Sequence, residues 1–221
     1  MAARLLALSV DAHDPAAQAR FWGRLLERRV DGSVVRPGDG PDFELRFVAG
    51  ATEKTQANWI HFHLTSAAPG DQHRTIERAL GLGATHLDVG QTPDEGHVVL
   101  ADPEGNELCV IEAGNRFLAD TSFLGELACD GTRGVGLFWS EALGWPLNWD
   151  QDEETSIQSP LGGAKVSWGG PPVAPKTGRR MRFEVAASES ELERLVVLGA
   201  AWLGDGLLAD PDGNEFAVSP P

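Results

Sequence analysis

Four side chains in the first half of the 221-residue chain have the types and spacing to gather on one surface. His61 and His63 stand two apart in Trp59-Ile60-His61-Phe62-His63-Leu64, a run that predicts a β-strand, so both rings leave the same face. Glu107 and Cys109 are related in the same way on a strand predicted over Glu107 to Glu112. Two imidazoles, a carboxylate and a thiolate form a zinc-like or iron-like donor set if the two strands bring them together. The blander reading makes the histidines a hydrogen-bonded pocket lining. It gives Glu107 a turn-stabilising role, because Glu215 repeats it in a half without such histidines.

Other chemistries have no comparable support. The chain holds no Gly-x-Ser-x-Gly elbow, no His-Glu-x-x-His helix, no Gly-x-Gly-x-x-Gly and no Walker loop. The acidic stretch Asp150 to Glu154 lacks the glycine and closing glutamate of a calcium loop and reads as a solvated hairpin turn. A formal net charge of -15 makes sequence-independent binding to nucleic acid phosphates unfavourable and draws cations toward the surface. Cys109 and Cys129 are the only cysteines, without Cys-x-x-Cys spacing, and read as buried free thiols of a reducing cytoplasm. The apolar run after Met1 is too short for a signal peptide or a membrane span, so a cytoplasmic protein is expected. The 7 Trp, 9 Phe and no Tyr raise one question, which of the indoles face a pocket and which fill a core.

The elements that would position these groups come in repeated order. Asp102-Pro103-Glu104-Gly105-Asn106-Glu107 returns as Asp210-Pro211-Asp212-Gly213-Asn214-Glu215 between short apolar runs, and Phe21-Trp22 returns as Phe138-Trp139. Leu-Gly-Ala closes a predicted helix at residues 82–84 and again at 198–200. Each half reads as βαβββ twice over. Runs of strands after each helix predict an α+β fold rather than a doubly wound sheet. The boundary falls near 115–121, separating domains of residues 1–114 and 122–221.

The Phe-Trp helix, the x-His-x-His strand, the Leu-Gly-Ala exit and the Asp-Pro-x-Gly-Asn-Glu turn together resemble the vicinal oxygen chelate superfamily. That superfamily includes glyoxalase I, extradiol dioxygenases and bleomycin-resistance proteins. The resemblance spans nearly the whole chain and implies two tandem glyoxalase-like domains whose four βαβββ modules form curled mixed sheets around pockets. It also implies a divalent metal held by His and Glu ligands. The ligand positions fall on Ala7, His61 and Cys109 in one half and on Glu126, Arg182 and Ala217 in the other. Alanine cannot ligate, and a permanently cationic arginine repels a metal.

Two functions of different class follow. One is a small-molecule binding protein of the glyoxalase/bleomycin-resistance type, with no cofactor, taking an aromatic or cationic compound. Trp59, Trp149 and Trp168 would stack on it, Glu126 and Glu184 would favour positive charge, and His61, His63, Glu107, Cys109 and Arg182 would complete the pockets. The alternative is a lyase, isomerase or dioxygenase with Zn, Fe, Ni or Mn on His61, His63, Glu107 and Cys109, its site within the N-terminal domain. Either would act as a monomeric pseudo-dimer or a homodimer, on a small molecule, with neither nucleic acid nor membrane as partner.

Overall fold

The computed structural model describes residues 2–38, 40–50, 54, 56–92, 94–170 and 180–221. Its elements form four βαβββ modules in chain order. The first comprises β1 (Arg4–Ala12), α1 (Pro15–Leu26), β2 (Val30–Asp31), β3 (Val34–Val35) and β4 (Glu44–Ala49). The second comprises β5 (Ile60–Leu64), α2 (Asp71–Gly81), β6 (Thr85–His86), β7 (Val98–Ala101) and β8 (Glu107–Val110). The third comprises β9 (Leu124–Asp130), α3 (Arg133–Leu143), β10 (Leu147–Gln151), β11 (Glu154–Gln158) and β12 (Lys165–Gly169). The fourth comprises β13 (Met181–Ala186), α4 (Glu189–Val197), β14 (Ala201–Gly204), β15 (Leu207–Ala209) and β16 (Glu215–Ser219).

The modules pair across the halves of the chain. One eight-stranded sheet has the order β14-β15-β16-β13-β1-β4-β3-β2, joining the first module to the fourth. The other runs β10-β11-β12-β9-β5-β8-β7-β6, joining the second to the third. Each sheet is mixed, with a central antiparallel seam (β1 with β13, β5 with β9) flanked by parallel pairs. Alternation along the strands sends Leu8, Val10, Phe62, Leu64, Leu127, Val166 and Phe183 into one continuous core. The opposite faces of the two sheets carry the polar residues. Among the described residues, no helix is long and apolar enough to cross a membrane.

While strands pair across halves, helices and turns are tied within them. Asp14 caps α1 by accepting from Ala17 N, with Pro15 in the first turn, and Thr132 caps α3. The duplicated turn then reaches back to those caps. Glu104 accepts from the backbone N of His13 and Asp14 at 2.9 Å, and Asp212 accepts from Thr132 N at 2.7 Å and Thr132 Oγ1 at 2.8 Å. Carboxylates at these helix starts also face the positive end of the helix dipole.

Helix α3 lies against β11 with no room to spare. A Cβ at Gly136 would sit 2.7 Å from Thr155 Cβ and closer still to its Oγ1. Alanine improves helix propensity by about 1 kcal/mol over glycine, but overpacking a fixed contact costs about 1–3 kcal/mol. The clash falls on branched, fully buried atoms, so overpacking wins. Gly136→Ala is expected to lower the denaturation midpoint in urea with an unchanged slope. An unaltered midpoint would show that α3 shifts freely on β11.

Candidate functional site

Strand pairing makes the polar faces of the two sheets comparable position by position. On the second sheet one row across neighbouring strands reads Lys165, Glu126, His63, Cys109, and the next reads Ser167, Ala128, His61. On the first sheet the matching rows read Glu44, Ala7, Glu184, Ala217 and Arg46, Ser9, Arg182. The scaffold is the same and the chemistry differs.

The first sheet's polar face is closed on itself by ion pairs. Arg46 contacts Glu184 and donates from Nε to Glu44 at 2.8 Å, while Arg36 pairs with Glu44 and Asp31. Arg182 reaches Asp11 at 3.4 Å. Arg182 and Glu184 therefore lie on a different sheet from Glu126, because the strands that carry them pair with β1.

The second sheet holds the candidate site. A cavity of about 280 Å³ is lined by His61, His63, Glu126, Asp130, Glu154 and Ser167, with Phe117 and Trp149 at its mouth. The two aromatic rings stand edge to face, 5.9 Å apart at 89°, and Trp149 is 38% exposed. A second cavity of about 630 Å³ shares Phe117, Trp149 and Glu154 with the first and adds Arg116, Asn148 and Lys165. Glu126, Trp149 and Lys165 come from the C-terminal half. The enzyme alternative places its site within the N-terminal domain, whereas this cup draws on both halves because β5 pairs with β9.

Within this cup His63 Nδ1 lies 2.7 Å from Glu126 Oε2. Burial lowers the imidazole pKa, but hydrogen bonds to Cys109 and Glu126 outweigh it and raise it to about 10. His63 is therefore an imidazolium at neutral pH, and it balances the Glu126 carboxylate. His61 Nε2 is buried and has no hydrogen-bond partner in the structure.

The donor set anticipated for a metal does not converge. Glu107 contacts the Lys54 ammonium and accepts from Asn58 N at 3.3 Å, so its carboxylate serves the residues ahead of β5. His63 turns Nδ1 to Glu126, and Cys109 packs with Val99, Ile111 and Leu118. Among the described residues, no group of three or more His, Cys, Asp or Glu side chains could hold a metal ion. The first sheet offers Ala7, Arg182 and Ala217, which are no better. The residues present do not fit the metal that the superfamily implies.

Of the three indoles expected to stack on a ligand, one is placed to do so. Trp59 is 3% exposed and donates from Nε1 to Met181 O at 2.9 Å, spanning the two sheets inside the core. Trp168 is 1% exposed and lies parallel to Trp139 at 6.5 Å. Its neighbours Lys165 and Ser167 take the cup face and its ring packs in the core, while the residue also lines the smaller cavity. Only Trp149, on the outer strand β10, reaches open space. Lys165, Phe117, Asp130, Glu154 and Ser167 also line the cup and were not anticipated. Polar alternation in Lys165-Val166-Ser167-Trp168-Gly169 was the available signal for two of them.

Comparison with known proteins agrees with this architecture. The family model of the glyoxalase-like domain matches residues 7–111 and again residues 126–219. The chain belongs to the glyoxalase-like domain family, with two copies in tandem. Its fold is similar to that of glyoxalase I from Zea mays, with a TM-score of 0.65 at 13% identity, over 99% of this chain and 92% of that one. A glyoxalase/bleomycin resistance protein/dioxygenase family enzyme from Burkholderia phytofirmans PsJN aligns with 48% of this chain and 96% of its own, at 14% identity and a TM-score of 0.38. No curated protein matches the sequence.

Proposed function

We propose that the chain binds a small planar molecule carrying positive charge in the cup of the second sheet, without a metal as intermediary. The observation that carries this reading is the edge-to-face Phe117–Trp149 pair, which lines both cavities together with Glu154. An exposed indole offers a π-face to a planar cation, and carboxylates around it add Coulomb attraction in a partly desolvated space. With His63 and Glu126 cancelling one another, Glu154 contributes negative charge to the cup. The overall charge of -15 steers cations in the same direction. A drug-sequestering role is the form of this function that bleomycin-resistance proteins suggest.

The direct test is calorimetric titration with 1-methylquinolinium, a flat cation with no hydrogen-bond donors. Saturable binding is expected. Trp149→Ala should weaken it roughly tenfold, consistent with about 1–2 kcal/mol for a partly desolvated cation–π contact. Trp202→Ala, which removes an indole 55% exposed on the first sheet, serves as the control and should leave it unchanged. Equal affinity in wild type and Trp149→Ala would remove the aromatic wall from the argument. Stoichiometric metal in purified protein, lost in His61→Ala, would overturn the metal-free part of the reading.

A further inference from the structure

The larger cavity beside the aromatic pair contains a charge the binding reading has not used. Lys165 begins β12 on the cup face and is only 8% exposed. Its ammonium donates to the Phe117 carbonyl and lies 4.6 Å from the centre of the Phe117 ring. Its row neighbour Glu126 is turned to His63, and among the described residues no carboxylate lies within ion-pair distance of Lys165. Burial lowers the Lys165 pKa, against the more distant pull of Glu126 and Asp120. A buried ammonium held by one carbonyl and a ring face is under-compensated, since burying a charge is costly without a counter-charge. Arg116, exposed on the same cavity wall, adds a second positive group.

The strand register gives this cavity a direction. Lys165 stands at one end of β12 and Gly169 at the other, four residues on, roughly 13 Å at strand rise. Gly169 pairs with Asp130, and the Glu154 side chain lies over it. A Cβ at Gly169 would meet Glu154 Cγ at 3.0 Å, so glycine leaves the room that this carboxylate occupies. Ser167, midway, presents a hydroxyl. The cleft therefore runs from a positive end at Lys165 and Arg116, past Phe117 and Trp149, to a negative end at Glu154.

We infer that the cup of the second sheet selects an amphoteric planar ligand, with a carboxylate or phosphate seated at Lys165 and Arg116 and its cationic nitrogen at the opposite end. This rests on the binding function proposed above and narrows it, because a plain cation would leave Lys165 without a counter-ion. It also sets the second cup apart from the first, where the arginines Arg36 and Arg46 already have carboxylate partners in the chain.

The test uses three probes on the full chain by calorimetry: 1-methylquinolinium, its 6-carboxylate, and quinoline-6-carboxylate. The zwitterion is expected to bind at least tenfold more tightly than the plain cation. In Lys165→Met and, separately, in exposed Arg116→Ala, the ratio between the two should fall toward one. Circular dichroism checks that each variant is folded, and Arg116→Ala carries the test if Lys165→Met is not. Comparing the carboxylate with the corresponding phosphate ester separates the two anion types. If the cation binds and its carboxylate adds nothing, the inference fails while the proposed function stands. If the anion alone binds as tightly as the zwitterion, the negative end has no role and the amphoteric assignment is wrong. If no probe binds, both readings fall.

Discussion

Replacing Asp102 with alanine should cost about 3 kcal/mol or more and lower the melting temperature by roughly 6–12 °C. The carboxylate is 3% exposed and accepts from four donors: Trp22 Nε1 at 3.0 Å, Glu104 N at 2.9 Å, Asn106 N at 2.9 Å and Asn106 Nδ2 at 2.8 Å. Burial raises its pKa, and the hydrogen bonds from Asn106, Trp22 and Glu104 oppose that rise. Alanine relieves the desolvation of one charge but strands donors on Trp22 and Asn106, which are themselves fully buried. Each orphaned donor costs about 1–3 kcal/mol, so the donors decide the sign. Asp210→Ala removes the matching set, but there the indole of Trp139 is 3.3 Å away, a weaker bond. The second loss should therefore be smaller. Thermal melts of both variants check the order, and a melting temperature within 2 °C of wild type for Asp102→Ala would contradict the account.

The same turn shows what a sequence can and cannot disclose. Asp-Pro-x-Gly-Asn is legible because its constraints are local. Proline presets one dihedral, while Gly105 and Gly213 take φ of 82° and 81°, where a side chain is strained. Strand parity was equally legible, and it placed His61 with His63 and Glu107 with Cys109. The pairing of modules was not. β5 would bury the same Ile60, Phe62 and Leu64 beside any other strand of the fold, so the apolar pattern is silent on its neighbour. That silence separated Glu184 and Arg182 from the cup where Glu126 lies. It also hid Lys165, which alone reads as a solvated strand terminus and gains meaning only beside Glu126 and Phe117. Trp168 was readable in principle, since apolar Val166 two positions away shares its face while the polar Lys165 and Ser167 take the other.

Glu126→Gln should lower the His63 pKa from about 10, because it withdraws one of the two partners that raise it. In the wild type, burial disfavours the imidazolium, and the bonds to Cys109 and Glu126 overcome it. Glutamine keeps the shape and one acceptor oxygen but withdraws the negative charge, so burial is then opposed by Cys109 alone. The groups facing His63 are Glu126 on β9, Cys109 on β8 and His61 on its own strand, with Lys165 one strand beyond Glu126. Nitrogen-detected NMR of the imidazole across pH 5–11 reads the shift directly. The linkage has a definite sign. A histidine whose folded pKa lies above its unfolded value contributes stability fully below about 6.5, and that contribution fades as the pH rises to about 10. Wild-type stability should therefore decline over this window, and Glu126→Gln should be less stable at neutral pH with that decline flattened. A wild-type His63 titrating near 6.5 would refute the assignment. The consequence for chemistry is specific: a ring held as an imidazolium must release its proton before it can ligate a metal, which weakens such binding at neutral pH. Such a ring donates its hydrogen bond within the cup, to Glu126.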